Sequence, residues 1–257
     1  MKLLELNNPF GAPLYHEETV SSTFDAARLL AENNENHGTV ICADFQHSGR
    51  GRLSRPWVTE RGKNLLFTIL LRYGDFSSIP EALTLKTGLA ISLALEDMLP
   101  ALTGSVKVKW PNDVMIKIET IFLKVAGILA EADGANVYIG AGINLNQKEF
   151  PEEYRFKAGS IIQVYPDLPE NARFVLLEKI LARLYEETKT ENKTWREQLS
   201  QRLYKKGETV VFAPGAADSE SLVEGILSGI GENGELLIIP RGEDTEFAFV
   251  SGELRVY

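Results

Sequence analysis

The sequence predicts an α+β protein: a mixed sheet flanked by helices, with a small β-barrel at the C-terminal end. Three observations lead there. Extended apolar runs alternate with helical patterns as far as Asn146, the stretch from Pro166 to Lys206 switches to helical spacing, and short β-like runs separated by Gly, Pro, Asn and Asp follow Gly207.

The elements follow in order. A short strand near Leu14 to His16 precedes a helix from Ser22 to Asn34, whose Ala26, Ala27, Leu29 and Leu30 lie behind a Ser/Thr cap. Strands at Thr39 to Phe45 and Asn64 to Arg72 bracket a loop. A helix from Pro80 to Met98 opens on its proline. Extended runs come next at Val106 to Lys109, Val125 to Glu131 and Val137 to Ile143. From Pro166 to Lys206, Phe174, Leu177, Leu181, Leu184 and Tyr185 share one helical face. The barrel is expected from Glu208 to Phe212, Leu222 to Ser228, Leu236 to Ile239, Glu246 to Val250 and Glu253 to Tyr257. The division is therefore 1–206 and 207–257, with no internal repeat or low-complexity linker.

Composition narrows the class. With 44% hydrophobic and 25% charged residues in 257, the chain reads as a soluble globular protein. Its longest apolar runs, such as Leu65 to Leu71, fall well short of the roughly 20 residues that cross a bilayer, and Met1 to Phe10 lacks the apolar stretch of a secretory signal. A cytoplasmic location is expected, without membrane association. The single cysteine, Cys42, sits in an apolar strand with no histidine patterned beside it, which favours a core role over a nucleophile. His16, His37 and His47 lack zinc-ligand spacing, and no structural metal is expected. A net charge of −9, from 27 basic and 36 acidic side chains, argues against broad nucleic-acid affinity.

One segment runs against that balance. Ser48-Gly49-Arg50-Gly51-Arg52-Leu53-Ser54-Arg55-Pro56-Trp57 combines three arginines with two glycines and a tryptophan. Glycine permits close backbone approach, and guanidinium presents a planar fork of donors to phosphate or carboxylate. The loop is suited to an anion, and Trp57 offers a flat apolar face to a base, so a nucleotide phosphate or acyl phosphate is expected.

Further motifs are Glu18-Thr19-Val20-Ser21-Ser22-Thr23, Gln46, Lys109-Trp110-Pro111-Asn112-Asp113, Lys124-Val125-Ala126-Gly127-Ile128-Leu129 and Gly140-Ala141-Gly142-Ile143-Asn144-Leu145-Asn146. In this order, with the arginine loop, they resemble the catalytic domain of biotin protein ligases from about Tyr15 to Asn146, and the tail resembles that family's SH3-like barrel. The resemblance implies a class II synthetase-like catalytic domain and a two-step reaction. Biotin and MgATP give biotinyl-5′-AMP and pyrophosphate, and a lysine of a biotin carboxyl carrier domain then displaces AMP. It assigns catalysis to Lys124, Arg50 and Arg52. Biotin contacts fall to Ser22, Thr23, Gln46, Gly49, Arg50, Arg52, Lys124, Gly127 and Gly142, and nucleotide contacts to Arg52, Arg55, Trp57, Asn112 and Asn144. Asp113 is implied as a magnesium contact, and a homodimer is plausible on the same ground. The loop is expected to act as a lid that orders over the acyl-adenylate.

Each motif has a plainer reading. Ser22 and Thr23 could cap a helix, Gly140 and Gly142 could serve strand packing, Trp110 reads as core, and Asp113 could orient a cation without touching metal. The chain also departs from the family pattern. Phe24-Asp25 stands where a polar amide is usual, His47-Ser48 replaces a small pair, and the interval from Asp113 to Lys124 is long for the hairpin expected there, leaving Lys117 as the alternative lysine. The short segment before Leu14 points to a ligase without a winged helix, and hence without a nucleic-acid partner. Two other functions stay open: a lipoate or octanoate ligase or transferase of the same fold, and a noncatalytic ligand-binding module.

Overall fold

The computed structural model describes residues 1–134, 136–189, 194–215 and 221–255. One sheet is built from β1 (Lys2–Leu3), β2 (Leu14–Glu17), β3 (Thr39–Ala43), β4 (Leu65–Arg72), β5 (Val106–Lys109), β6 (Asp113–Ile118), β7 (Ile121–Asp133) and β8 (Asn136–Ile143), in the order β1-β2-β3-β4-β8-β7-β6-β5. Only β2 and β3 run parallel, and α1 (Thr23–Glu32) is the crossover between them. The fold is thus α+β with a mixed sheet, as expected.

Both faces of the sheet centre are covered. On one face Phe24, Ala27 and Leu30 of α1 pack on Ile41, Leu70 and Tyr138. On the other, α2 (Leu83–Met98) and α3 (Ala172–Thr188) bury Ile91, Leu95, Leu177, Leu181 and Leu184 against Phe67, Ile69, Val125 and Ile139. Double coverage explains why β4 is an unbroken apolar run interrupted only by Thr68, which is fully buried.

The second sheet is antiparallel throughout. It contains β9 (Thr209–Pro214), β10 (Val223–Ile230), β11 (Leu236–Pro240), β12 (Phe247–Phe249) and β13 (Gly252–Arg255), in the order β12-β11-β10-β9-β13. It matches the small C-terminal β-module expected. Its core continues into the first unit. Val210, Phe212, Leu227 and Ile238 form one cluster with Leu89 of α2, Val108 and Trp110, and with Trp195 and Leu199 of α4 (Trp195–Arg202). Trp110 meets Phe212 edge-on at 5.8 Å and donates from Nε1 to the Gly234 carbonyl at 2.9 Å. The core reading of Trp110 holds.

Several boundaries differ from expectation. Helix α2 begins at Leu83 after Ala82 in a left-handed conformation (φ 56°), so Pro80 lies outside it. The helical stretch after Pro166 is two helices, and the buried face of α3 runs through Leu176 and Ile180, leaving Phe174 and Tyr185 half-buried. Strand β1 was not anticipated, and β6 is the first strand of the hairpin expected between Asp113 and Lys124. The strand expected to end at Tyr257 is described as far as Arg255, and residues 256–257 lie outside the described residues. Among the described residues, no helix is long and apolar enough to cross a membrane.

Candidate active site

Register determines which side chains face the α1 side of the sheet. Partners across strands share a face, so the pairs Thr68↔Gly140, Gly140↔Leu129, Gly142↔Gly127, Gly127↔Asp113 and Asp113↔Lys109 define one row. Alternation along β7 from Gly127 alone would turn Lys124 away from that row. A bulge prevents this. The register shifts between Val114↔Ala126 and Met115↔Lys124, leaving Val125 unopposed and bringing Lys124 onto the face of Gly127. The Val125 carbonyl accepts from Asn144 N at 2.8 Å, and Lys124 N donates to the Lys157 carbonyl at 2.9 Å, so the bulge is fixed from both sides. The long interval before Lys124 is absorbed by a tight β6–β7 turn with Glu119 at φ 53°. Lys117 is exposed and stands outside the cavity wall, so the structure places Lys124, not Lys117, in the site.

This face is the floor of a cavity of about 1450 Å³. Thr23, Gln46, Arg50, Arg52, Arg55, Trp57, Asn112, Asp113, Lys124, Gly127, Gly142 and Asn144 all line it. Lysines and arginines in its wall outnumber carboxylates ten to four, in a chain whose net charge is −9. The cavity therefore concentrates positive potential against the sign of the whole molecule.

At one end the polar groups form a relay. Thr68 Oγ1 donates to Thr23 Oγ1 at 2.8 Å, and Thr23 donates to Gln46 Oε1 from its hydroxyl at 3.0 Å and from its backbone N–H at 2.8 Å. Gln46 Oε1 is thus occupied, and its amide presents N–H donors. Ser22 does not reach the cavity: it is buried, and its hydroxyl accepts from Phe24 N as the N-cap of α1. The structure thus shows the capping role of Ser22 that the sequence offered as its plainer reading. Gly49 is likewise outside the wall, where an added Cβ would stand 3.0 Å from Gln46 Nε2 and the Trp57 carbonyl.

At the centre Lys124 Nζ lies 2.7 Å from Asp113 Oδ1 and 5.4 Å over the Trp57 ring. The indole fills the recess left by the glycine row. A Cβ at Gly142 would stand 2.4 Å from Trp57 Nε1, and one at Gly127 2.9 Å from the same ring. Gly142→Val is accordingly expected to expel Trp57 from the floor, seen as a red shift of its fluorescence with β4 and β8 still folded. Two buried polar atoms here, Trp57 Nε1 and Asn144 Oδ1, have no hydrogen-bond partner among the described residues, leaving one donor and one acceptor for a bound molecule.

At the other end the loop contacts the barrel. Arg52 donates to Asn112 Oδ1 and to the Gly252 carbonyl, both at 3.3 Å, and Arg55 makes a two-pronged pair with Glu253 at 3.1 Å. Hydrogen bonding to Arg55 holds the Glu253 carboxyl below its ordinary range. Burial lowers the Lys109 ammonium pKa, with Asp113 and Glu253 opposing. Left-handed Leu53 and Ser54 (φ 56° each) turn the loop back, closed by Gly51 N to the Arg55 carbonyl at 2.8 Å. Arg50 stands apart from the other loop arginines: Nη1 reaches Asp25 at 3.1 Å and Nε reaches Glu131 at 3.3 Å.

Thr68, Lys107, Lys109 and Lys157 also belong to this site and were not assigned from sequence. Lys107 and Lys109 carried a readable signal, the period-two alternation of β5, and Thr68 another, the one polar position within the apolar run of β4. Lys157 lies in a segment without a motif. No cluster of three or more His, Cys, Asp or Glu placed to hold a metal occurs among the described residues. Asp113 fits a magnesium ion only as the single carboxylate beside phosphate oxygens, which is a usual mode for that ion.

Comparison with known proteins identifies the family. Residues 17–144 match the model of the biotin/lipoate A/B protein ligase family. The structure of biotin protein ligase from Aquifex aeolicus in complex with biotin and ATP superposes with a TM-score of 0.76 at 31% identity, covering 94% of this chain and 98% of that one. The chain belongs to the biotin protein ligase family. A biotin–[acetyl-CoA-carboxylase] ligase of Mycobacterium tuberculosis is 27% identical over 227 residues, 86% of this chain and 80% of that protein. The bifunctional ligase/repressor BirA of Bacillus spizizenii is 35% identical over 161 residues. The match with that protein spans 60% of this chain and 47% of the relative's length. As a member of the biotin protein ligase family, the chain carries on one sheet face the arginine loop, the lysine and the glycine row quoted from its sequence.

Proposed function

We propose that this chain activates biotin with ATP and transfers it to a lysine of a biotin carboxyl carrier domain. The observation that carries the reading is the bulge that aims Lys124 into the cavity between the Thr68–Thr23–Gln46 relay and the Arg52–Asn112–Arg55 end. A ureido ring supplies an acceptor and donors to the relay, and a triphosphate suits the guanidinium end. In the first step a biotin carboxylate oxygen attacks the α-phosphorus in line and pyrophosphate leaves. Lys124 stands where both anions meet, offsetting their repulsion and stabilising charge on the α-phosphate oxygens. In the second step a neutral carrier lysine attacks the acyl carbon, the amide forms and AMP departs with the electron pair of the broken anhydride. Asp113 is the protein carboxylate that would hold a magnesium ion, which would neutralise part of the triphosphate charge. Trp57 and the loop exclude water from the anhydride.

The acidic net charge favours the ligase reading over a duplex-binding one, and we carry a cytoplasmic location, the 207–257 module as a separate domain and a homodimer as parts of the same proposal. A lipoyl or octanoyl chain offers nothing to the Gln46 relay. A cysteine-dependent transferase is disfavoured further, since burial pushes the Cys42 thiol up to about 12 and the residue packs inside β3. Exchange of labelled pyrophosphate into ATP tests the choice: it should depend on biotin, and dependence on octanoate or lipoate instead would overturn it.

A further inference from the structure

Arg50 was expected to meet the substrate anions, yet its guanidinium is engaged by two carboxylates from different elements, Asp25 in the first turn of α1 and Glu131 on β7. Its Nε and Nη1 are used, and Nη2 has no protein partner among the described residues. Both carboxylates are themselves held. Ser21 Oγ donates to Asp25 Oδ2 at 2.7 Å, and Arg28 Nη2 donates to Glu131 Oε2. The two guanidiniums also lie against aromatic faces, Arg50 at 5.3 Å from the Phe24 centroid and Arg28 at 4.7 Å from that of Tyr138.

With Asp133 3.7 Å from Arg28, the cluster counts two arginines against three carboxylates, so its formal charge is −1. Such a cluster does not draw an anion to itself. It does fix a flexible side chain, and Arg50 begins the turn that ends at its bridge partner Pro56. The far side of the turn is tied to the barrel through Arg55 and Glu253, and the Asp25/Glu131 cluster is its counterpart at the near side.

We propose that Asp25 and Glu131 are positioning residues that clamp Arg50 and thereby hold the near stem of the arginine loop over the cavity, with Nη2 as the donor left for the ligand. The clamp deepens the function proposed above and rests on that reading only for the identity of the ligand.

The test is therefore made first without ligand, by hydrogen exchange of the amides from Gly49 to Trp57 in the full chain, with the amides of β4 as internal reference. Asp25→Asn with Glu131→Gln should accelerate loop exchange about tenfold and leave β4 unchanged, and Asp25→Glu should restore most of the protection. In an Arg50→Ala background the same carboxylate changes should add nothing. Unchanged loop exchange, or equal acceleration with and without Arg50, would overturn the clamp. Release of biotinyl-AMP from the same variants forms the second arm. Release about tenfold faster, with biotin affinity held within about twofold, is expected of a loosened lid, and release at the parent rate would overturn its role over the ligand. A parent protein that forms no biotinyl-AMP refutes the functional reading instead, and the exchange arm still decides the clamp.

Discussion

Lys124→Ala is expected to lower the rate of biotinyl-AMP formation on the order of 10²–10³-fold while leaving the melting temperature close to that of the parent, the loss typical of one preorganised charge removed from a transition state. The side chain is about one-third exposed and pairs with Asp113 at 2.7 Å, so it contributes little to stability. Its position, not its charge alone, is what the sheet supplies. The bulge at Val125 sets which face it takes, and the hydrogen bonds from Lys124 N to the Lys157 carbonyl and from Asn144 N to the Val125 carbonyl keep it there. Lys124→Arg should recover little, because a planar fork does not replace a compact ammonium between two crowded anions. Single-turnover measurement of adenylate formation separates this from a change in substrate affinity. A rate within about threefold of the parent would instead remove Lys124 from the catalytic machinery.

Phe212→Ala should cost about 3–5 kcal/mol of stability, the range for a large aromatic removed from a packed core. Phe212 is fully buried and packs against Phe249 at 4.8 Å as well as Trp110 at 5.8 Å. Its loss opens the cluster through which α2, α4 and β5 meet the C-terminal sheet. The effect should reach the active site, since Trp110 lies in the strand connection that positions Asn112 and Asp113. Denaturant unfolding would show one transition shifted to lower midpoint. A separate early transition of the 207–255 region, with the rest unaffected, would mean that the two sheets do not share a core.

Much of this was legible beforehand, for identifiable reasons. Local signals are strong where period and caps agree: Ser22 before Ala26 and Ala27 marked α1, and the apolar run to Leu71 marked β4. Gly127 and Gly142, expected as biotin contacts, lie under the Trp57 ring, a relation that needs strand pairing to see. The facing of Lys124 was not legible, because a bulge changes parity without leaving a residue-type signature. For Ser22 the sequence left a helix cap and a ligand contact open, because both use the same hydroxyl chemistry, and the structure shows the cap. Arg50 was read by its motif, but its partners lie on α1 and β7, at Asp25 and Glu131, too distant in sequence to be anticipated. The second helix after Pro166 was not separated from the first: the apolar face read there stops at Tyr185, and Trp195 and Leu199 follow only after a nine-residue polar stretch.

The central claim is transfer of biotin through an adenylate held between the sheet floor and the arginine loop. Purified protein with MgATP, radiolabelled biotin and a biotin carboxyl carrier domain measures it most directly. The account predicts label covalently bound to one carrier lysine, dependent on ATP, unaffected by excess octanoate or lipoate and abolished by excess unlabelled biotin. A carrier that stays unlabelled, or label displaced by octanoate or lipoate, would contradict it.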